Sequence, residues 1–167
     1  MNRTSKGLVE FECEPQGVEG GLDVPAFASR CRQMVSVHGR RPVSLLLCDD
    51  ALMRSLNAQW RGEDKSTDVL SFAFDEDEAP PIFHSDEDDS PPPSPLGEIV
   101  ISVPTAQFQA REHGWPVEHE LTFLFAHGLC HLLGHDHAAA EEAALMAQAE
   151  NELLSIFGLN RPPGLPY

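Results

Sequence analysis

A single α+β domain, with a mixed sheet of about four strands and helices packed on it, is the fold this sequence predicts. Three observations lead there. Short runs rich in leucine or β-branched residues recur at 42–48, 67–74 and 97–103, each bounded by turn residues. Segments with apolar residues three and four apart lie between or after them, as amphipathic helices require. The chain has 167 residues, of which 41% are hydrophobic, enough for one substantial core. Residues 1–167 are therefore read as one domain.

The elements follow in order. LVEFEC (8–13) alternates well enough for an edge or half-buried strand, broken by Pro15 and the glycines at 17, 20 and 21. VPAFASRCRQMVSVHG (24–39) is an amphipathic helix with Phe27, Cys31 and Met34 on one stripe and Gly39 as its stop. PVSLLLCDD (42–50) is a second strand that runs into a helix over 51–60. Asp49 or Asp50 caps that helix, since a carboxylate there accepts from the first unpaired N–H groups. TDVLSFAF (67–74) and GEIVISV (97–103) are the third and fourth strands, and β-branched residues suit the latter to a pleated surface. The segment between them, 75–95, is acidic and then reads SPPPSP. Such composition cannot bury enough surface to pack, so a disordered acidic and proline-rich loop is expected there. It lacks the ligand spacing of an EF-hand, which favours a solvated connection over a calcium site.

PTAQFQAREHG (104–114) has proline at its start and glycine at its end, the usual asymmetry of a helix. Pro116 opens the next helix, with Glu118 and Glu120 in the first turns, where the helix dipole favours acids. LTFLFAHGLCHLL (121–133) is apolar nearly all round and reads as a central buried helix ended by Gly134. The last helix spans about 138–157, with Met146, Ala149, Leu153 and Phe157 facing inward. The final RPPGLPY is expected to fray.

The net charge is -16, and eight of the acids fall within 75–89. The remainder is still acidic. A broad basic face for nucleic acid is excluded, so any phosphate contact must rest on local arginine, lysine or a metal. No apolar run reaches the roughly 20 residues of a membrane helix. MNRTSKGLVEFECEP lacks the apolar core of a signal peptide, which makes the cytoplasm the expected compartment and leaves no membrane partner. The cysteines at 13, 31, 48 and 130 form no CxxC pair and are read as free thiols.

HGLCHLLGHDH (127–137) carries the chemistry. His127 and His131, four apart on the central helix, project from one face. Gly134 lets the chain reverse, so that His137 can return to complete a set of three. Three imidazoles with one position left open describe a catalytic zinc site, and the central helix is then of the zinc-hydrolase type. Cys130 lies about 100° around the helix from His131 and is read as a core thiol. His135 falls outside the ligand spacing, at the rim. Asp136 either orients a ligand imidazole or caps the last helix. The spacing overlaps the HExxHxxGxxH pattern of zinc peptidases, but Gly128 stands where those enzymes carry the glutamate that serves as general base.

HGLCHLLGHDH also resembles the signature of the YbeY endoribonuclease family, HGxLHLxGYDH. WRGEDKSTDVLSFAF (60–74) is similar to that family's block in which an arginine precedes a TDVLSF strand, LGEIVIS (96–102) to its third block, and Met146 with Glu150 to its helical MxxxE. The resemblance implies a metal-dependent endoribonuclease acting on single-stranded RNA, in maturation of the 16S rRNA 3′ end and ribosome quality control. It implies one Zn2+ per chain on His127, His131 and His137, and a catalytic role for Arg61. Its implied partners are 16S rRNA, the small ribosomal subunit, and ribosomal or assembly proteins. Cys130, His135 and Glu98 depart from the leucine, tyrosine and aspartate usual in the family.

In the mechanism expected from these residues, Arg61 offers a planar fork of donors to the scissile phosphate. Its alternative role is a structural ion pair with Asp64 or Asp68. Glu98 and His135 are the candidates for a general base. Two competing functions are a zinc metallopeptidase and a non-catalytic ribosome-assembly factor in which zinc only holds the fold.

Overall fold

The computed structural model describes residues 8–39, 41–74 and 94–164. Its elements are β1 (Val9–Glu14), α1 (Val24–Val37), β2 (Val43–Cys48), α2 (Asp50–Arg61), β3 (Val69–Ala73), β4 (Gly97–Ser102), α3 (Val103–His113), α4 (Val117–Leu132) and α5 (Ala140–Ser155). Each was expected, and the caps explain their ends. Asp23, Asp49 and Ser102 accept from backbone N–H groups in the first turns of α1, α2 and α3. Gly62 and Gly114 close α2 and α3 in the left-handed conformation that glycine adopts without strain. The loop expected at 75–95 lies outside the described residues as far as 93. At its end, the carbonyls of Ser94 and Pro95 accept from Arg41 Nε and Nη2 at 3.0 and 3.1 Å.

The sheet is mixed, as expected, with strand order β1-β2-β4-β3. β1, β2 and β4 run parallel, and β3 pairs antiparallel with β4 as an edge. Parallel neighbours need long crossovers, which α1 supplies between β1 and β2, and α2 with β3 between β2 and β4. Strand alternation then divides the residues between two faces. Val43, Leu45, Leu47, Ile99 and Ile101 face the main core, built with Phe27 and Met34 of α1, Leu121, Leu124 and Leu129 of α4, and Met146 of α5. Cys48, Leu70 and Val100 face the other way, beneath Met53 of α2. Each aliphatic side chain taken fully out of water contributes about 1.5–3 kcal/mol.

Two glycines set how closely α4 approaches the sheet. A Cβ on Gly128 would stand 2.9 Å from Ile99 Cγ2, and one on Gly97 would stand 2.6 Å from Leu132 Cδ2. The backbone of each element thus meets a side chain of the other directly, which places the C-terminal half of α4 against β3 and β4.

Asp50, expected as an alternative cap, does something else. Its Oδ1 accepts from the hydroxyls of Ser102 and Thr105, both at 2.6 Å, and of Ser66 at 3.0 Å. One oxygen thereby ties the start of α2 to the end of β4, the start of α3 and the turn before β3. Burial opposes its ionisation, but the hydroxyls of Ser102, Thr105 and Ser66 outweigh it and lower its pKa below the ordinary 3.8. A carboxylate whose folded pKa is depressed stabilises the fold above its unfolded value and loses that contribution as pH falls through the folded one. Asp50→Asn is therefore expected to lower the melting temperature at neutral pH, with the gap to wild type closing below about pH 3.8. A gap that stays constant from pH 7 to pH 2.5 refutes the linkage.

The tail departs from expectation. Arg161 is not frayed: it reaches back to the wholly buried Glu150, and Pro162 beside it is buried.

Candidate metal centre

α4 delivers His127 and His131 one turn apart on the face that looks toward β3. The helix ends at Leu132, and the chain turns through Gly134 at φ 94°. Backbone bonds from Gly134 N–H to the His131 carbonyl and from His135 N–H to the Cys130 carbonyl, both 3.0 Å, fix that turn. It returns His137 to the pair, with its ring centre 5.7 Å from that of His127 and 5.3 Å from that of His131. One ligand atom from each of the three lies within 4.8 Å of the others.

The hydrogen bonds settle which nitrogens are available. His127 Nδ1 lies 2.7 Å from Glu150 Oε1, and His131 Nδ1 lies 3.1 Å from the His135 carbonyl. Both partners are pure acceptors, so each Nδ1 carries the proton and each Nε2 presents a lone pair. Those two Nε2 atoms stand 3.2 Å apart. Two facing lone pairs repel unless a cation sits between them. The separation suits ligands of one tetrahedral zinc, whose nitrogens at 2.0–2.1 Å from the ion fall roughly 3.3 Å from each other. Burial, and then the neighbouring His127 and His137 rings, lower the pKa of His131 below the ordinary 6.5. That keeps the ring neutral and able to donate a lone pair. The donor set fits a single divalent ion held by three imidazoles.

Glu150 is the residue that spacing alone did not assign to the centre. It is wholly buried on the inner face of α5 and holds both His127 and Arg161, the latter through a 2.5 Å contact from Nε. The available signal was a carboxylate on an apolar stripe, four residues after Met146 and three before Leu153.

Asp136 does not cap α5, whose N-cap is Ala139. Its Oδ1 accepts from the backbone N–H of His137 at 2.7 Å and steadies the turn that carries that histidine. Cys130 is buried in the core, as expected, and burial followed by the charges of Glu150 and Glu152 pushes its thiol up to about 12. The cysteines at 13, 31, 48 and 130 are all free.

The histidines open into a groove of about 630 Å³ whose opposite wall is β3, with Ser71 and Ala73, together with Asp68 and Arg61. Arg61 closes the last turn of α2 rather than standing in a loop. Its Nη2 donates to the Ser71 carbonyl at 3.3 Å across the free edge of β3. The ion-pair alternatives for it are not made. Asp64 takes a two-pronged contact from Arg54 at 2.7 and 2.9 Å, and Asp68 is bonded by the Val69 N–H and Gln109 Nε2. His135 lines the groove. Glu98 does not: strand alternation puts it with Val100 on the α2 face of β4, across the sheet from the histidines. It is thereby removed from the candidates for general base. The peptidase reading fails at Gly128, whose absent side chain points at Ile99 rather than into the groove.

Comparison with known proteins agrees with this geometry. The profile of the family described as Endoribonuclease YbeY matches residues 24–158, from the start of α1 to just past α5. The Endoribonuclease YbeY of Desulforamulus reducens is 49% identical over 119 residues, which are 71% of this chain and 74% of that one. That of Exiguobacterium is 41% identical over 139 residues, covering 83% and 86% of the two chains. The solution structure of a Thermotoga maritima protein superimposes with a TM-score of 0.55 at 23% identity, covering 94% of this chain and 99% of that one, which speaks for the fold alone. No helix among the described residues is long and apolar enough to cross a membrane.

Proposed function

We infer the activity of this chain from one premise: it belongs to the YbeY endoribonuclease family. It is a metal-dependent endoribonuclease of rRNA maturation. The finer reading is a zinc enzyme that cuts single-stranded RNA at the 3′ end of 16S rRNA and meets its substrate on the small ribosomal subunit, in the cytoplasm. The observation that carries it is the pair of facing imidazole lone pairs, 3.2 Å apart, at the floor of a groove whose far rim holds Arg61. A cation and a guanidinium bordering one groove, in a chain of net charge -16, make a local positive site where a phosphodiester is welcome and the surrounding surface is not.

When bound, zinc supplies a water of lowered pKa and neutralises charge on a phosphoryl oxygen. The protein's own residues do the rest. His127, His131 and His137 would hold the ion, each offering one ring nitrogen. Glu150 and the His135 carbonyl keep the first two rings in the required tautomer. Arg61, tethered at Ser71, presents its remaining N–H groups to the scissile phosphate. An ion held by three histidines alone would leave room for solvent beside it, which favours a catalytic ion over one that only holds the fold.

The test has two parts. Zinc-loaded protein is incubated with single-stranded RNA, casein, and RNA presented on purified small ribosomal subunits. Cleavage of RNA and not of casein is the expected result, and the reverse overturns the reading. Arg61→Glu is then expected to lower kcat/KM on RNA by about a hundredfold, the order seen when one transition-state donor is removed. Metal content and melting temperature should stay near wild type. Arg61→Lys should restore only part of the activity, since a point charge cannot copy a planar fork. Full activity in the glutamate variant, or a large fall in its melting temperature, removes Arg61 from the phosphate site.

A further inference from the structure

Met53, Leu56, Asn57 and Trp60 stand three or four apart along α2 and share one face. Met53 and Leu56 pack there with Leu70 and Val100 of the sheet. Trp60 lies one turn further on, at the edge of the sheet that β3 forms. Its indole rests against Phe72, with ring centres 6.0 Å apart and planes tilted by 58°. It remains 62% exposed.

A single exposed apolar side chain is ordinary on a protein surface. The surroundings of this one point to a ligand. The next residue is Arg61, which borders the histidine groove and reaches across the free edge of β3 to the Ser71 carbonyl at 3.3 Å. Phe72, beneath the indole, is flanked by Ser71 and Ala73, and both line the same groove. The thickness of one strand therefore separates the indole from the groove. The local charge is favourable too. Over residues 54–65, Arg54, Arg61 and Lys65 outnumber Glu63 and Asp64, in a chain of net charge -16. Both acids are already paired, Asp64 with Arg54 and Glu63 with Lys65, each at 2.7 Å. A polyanion that leaves the groove past Arg61 thus meets little repulsion and then an aromatic surface.

We propose that Trp60 is a stacking platform for one unpaired base of an RNA strand whose phosphate lies at Arg61. The proposal rests on the endoribonuclease reading. Trp60 and Arg61 are neighbours in the chain, about 3.8 Å apart at Cα. A nucleotide whose phosphate meets the guanidinium therefore carries its base within reach of the indole. Every base has a π-face, so such stacking holds a strand whatever its sequence. A base inside a duplex keeps its faces on its neighbours and cannot lie on the indole. Trp60 is thereby a specificity-determining residue that favours single strands, set across β3 from the histidines.

The experiment separates binding from cleavage. A short RNA of mixed sequence, 2′-O-methylated throughout and checked for integrity afterwards, is titrated into zinc-loaded protein, alone and annealed to its complement. Anisotropy of a labelled strand reads affinity, and tryptophan emission with the unlabelled strand reads the platform. The single strand is expected to quench wild-type emission at saturation. Trp60→Phe keeps an aromatic face and leaves Trp115 as the sole tryptophan. It should bind within about threefold of wild type and lose that quenching. Trp60→Leu keeps apolar cover over Phe72 without a ring. It should bind the single strand about fivefold more weakly or worse, and the duplex as wild type does. Should the leucine variant fail to fold, the loss of quenching in Trp60→Phe carries the test. Unchanged emission in wild type, quenching that survives in Trp60→Phe, wild-type affinity in Trp60→Leu, or no binding of the single strand overturns the platform. A chain that cuts RNA while Trp60 does not respond refutes the platform alone. A chain whose Trp60 responds but that cuts no RNA refutes the reaction and leaves the platform standing.

Discussion

His131→Ala is expected to empty the centre and to reduce RNA cleavage by roughly a thousandfold or more, because water without the ion is a far weaker acid at neutral pH. His131 is the middle histidine of the candidate set, with its Nε2 3.2 Å from that of His127 and its ring beside that of His137. Two imidazoles do not make a tight site in competition with water. Stability should fall as well, since an ion that binds only the folded site adds roughly 3–4 kcal/mol when present at several hundred times its dissociation constant. Elemental analysis of protein purified without an affinity tag, followed by thermal melts with and without added zinc, reads both effects. A variant that keeps one ion per chain and wild-type turnover refutes the ligand set. A metal-free wild type that is folded and fully active refutes the need for an ion.

The second large effect belongs to Glu150. Its carboxylate is wholly buried and engaged at both oxygens, by His127 Nδ1 at 2.7 Å and by Arg161 Nε at 2.5 Å. Glu150→Ala removes the acceptor and takes from a largely buried guanidinium its ion pair with this carboxylate. Breaking a buried pair in this way costs about 3–5 kcal/mol. It also takes from His127 the carboxylate that selects its tautomer, which should weaken zinc binding by about 10- to 100-fold. Glu150→Gln separates the two roles. The amide oxygen can still accept from His127 while the charge pair with Arg161 is lost, so stability should fall further than zinc affinity does. Denaturant melts and competition with a zinc chelator measure them independently. If Glu150→Ala melts as wild type does, the buried network contributes nothing to the fold.

Much of this molecule was legible in its sequence, and the physical reasons are local. The helix and strand segments announced themselves through periodicity and through caps such as Asp49 and Gly114, which act within a few residues. The three histidines were legible because an i, i+4 pair and a glycine turn fix their geometry over eleven positions. What spacing did not reveal depends on contacts between distant segments. Strand order β1-β2-β4-β3 follows from how α2 and β3 fold back between two parallel partners, which no single segment encodes. Glu98 looked available because its side chain could point to either face, and only the register of β4 against β3 sends it away from the groove. Arg161 lies among prolines and glycine in a stretch that looks unstructured, and its contact with Glu150 joins residues 11 positions apart. Gln109 resembles any polar residue on a half-exposed helix until Asp68, 41 positions earlier, orients its amide.

The link from His127 through Glu150 to Arg161 also sets an order of events during synthesis. A nascent chain that has emerged through residue 137 already holds all three histidines. It does not yet hold the carboxylate that selects the tautomer of His127, nor the guanidinium that compensates this carboxylate once it is buried. The form in which His127 is held ready for a metal therefore waits on residues made after the histidines themselves. A ribosome making this protein must pass Arg161 before that arrangement can assemble.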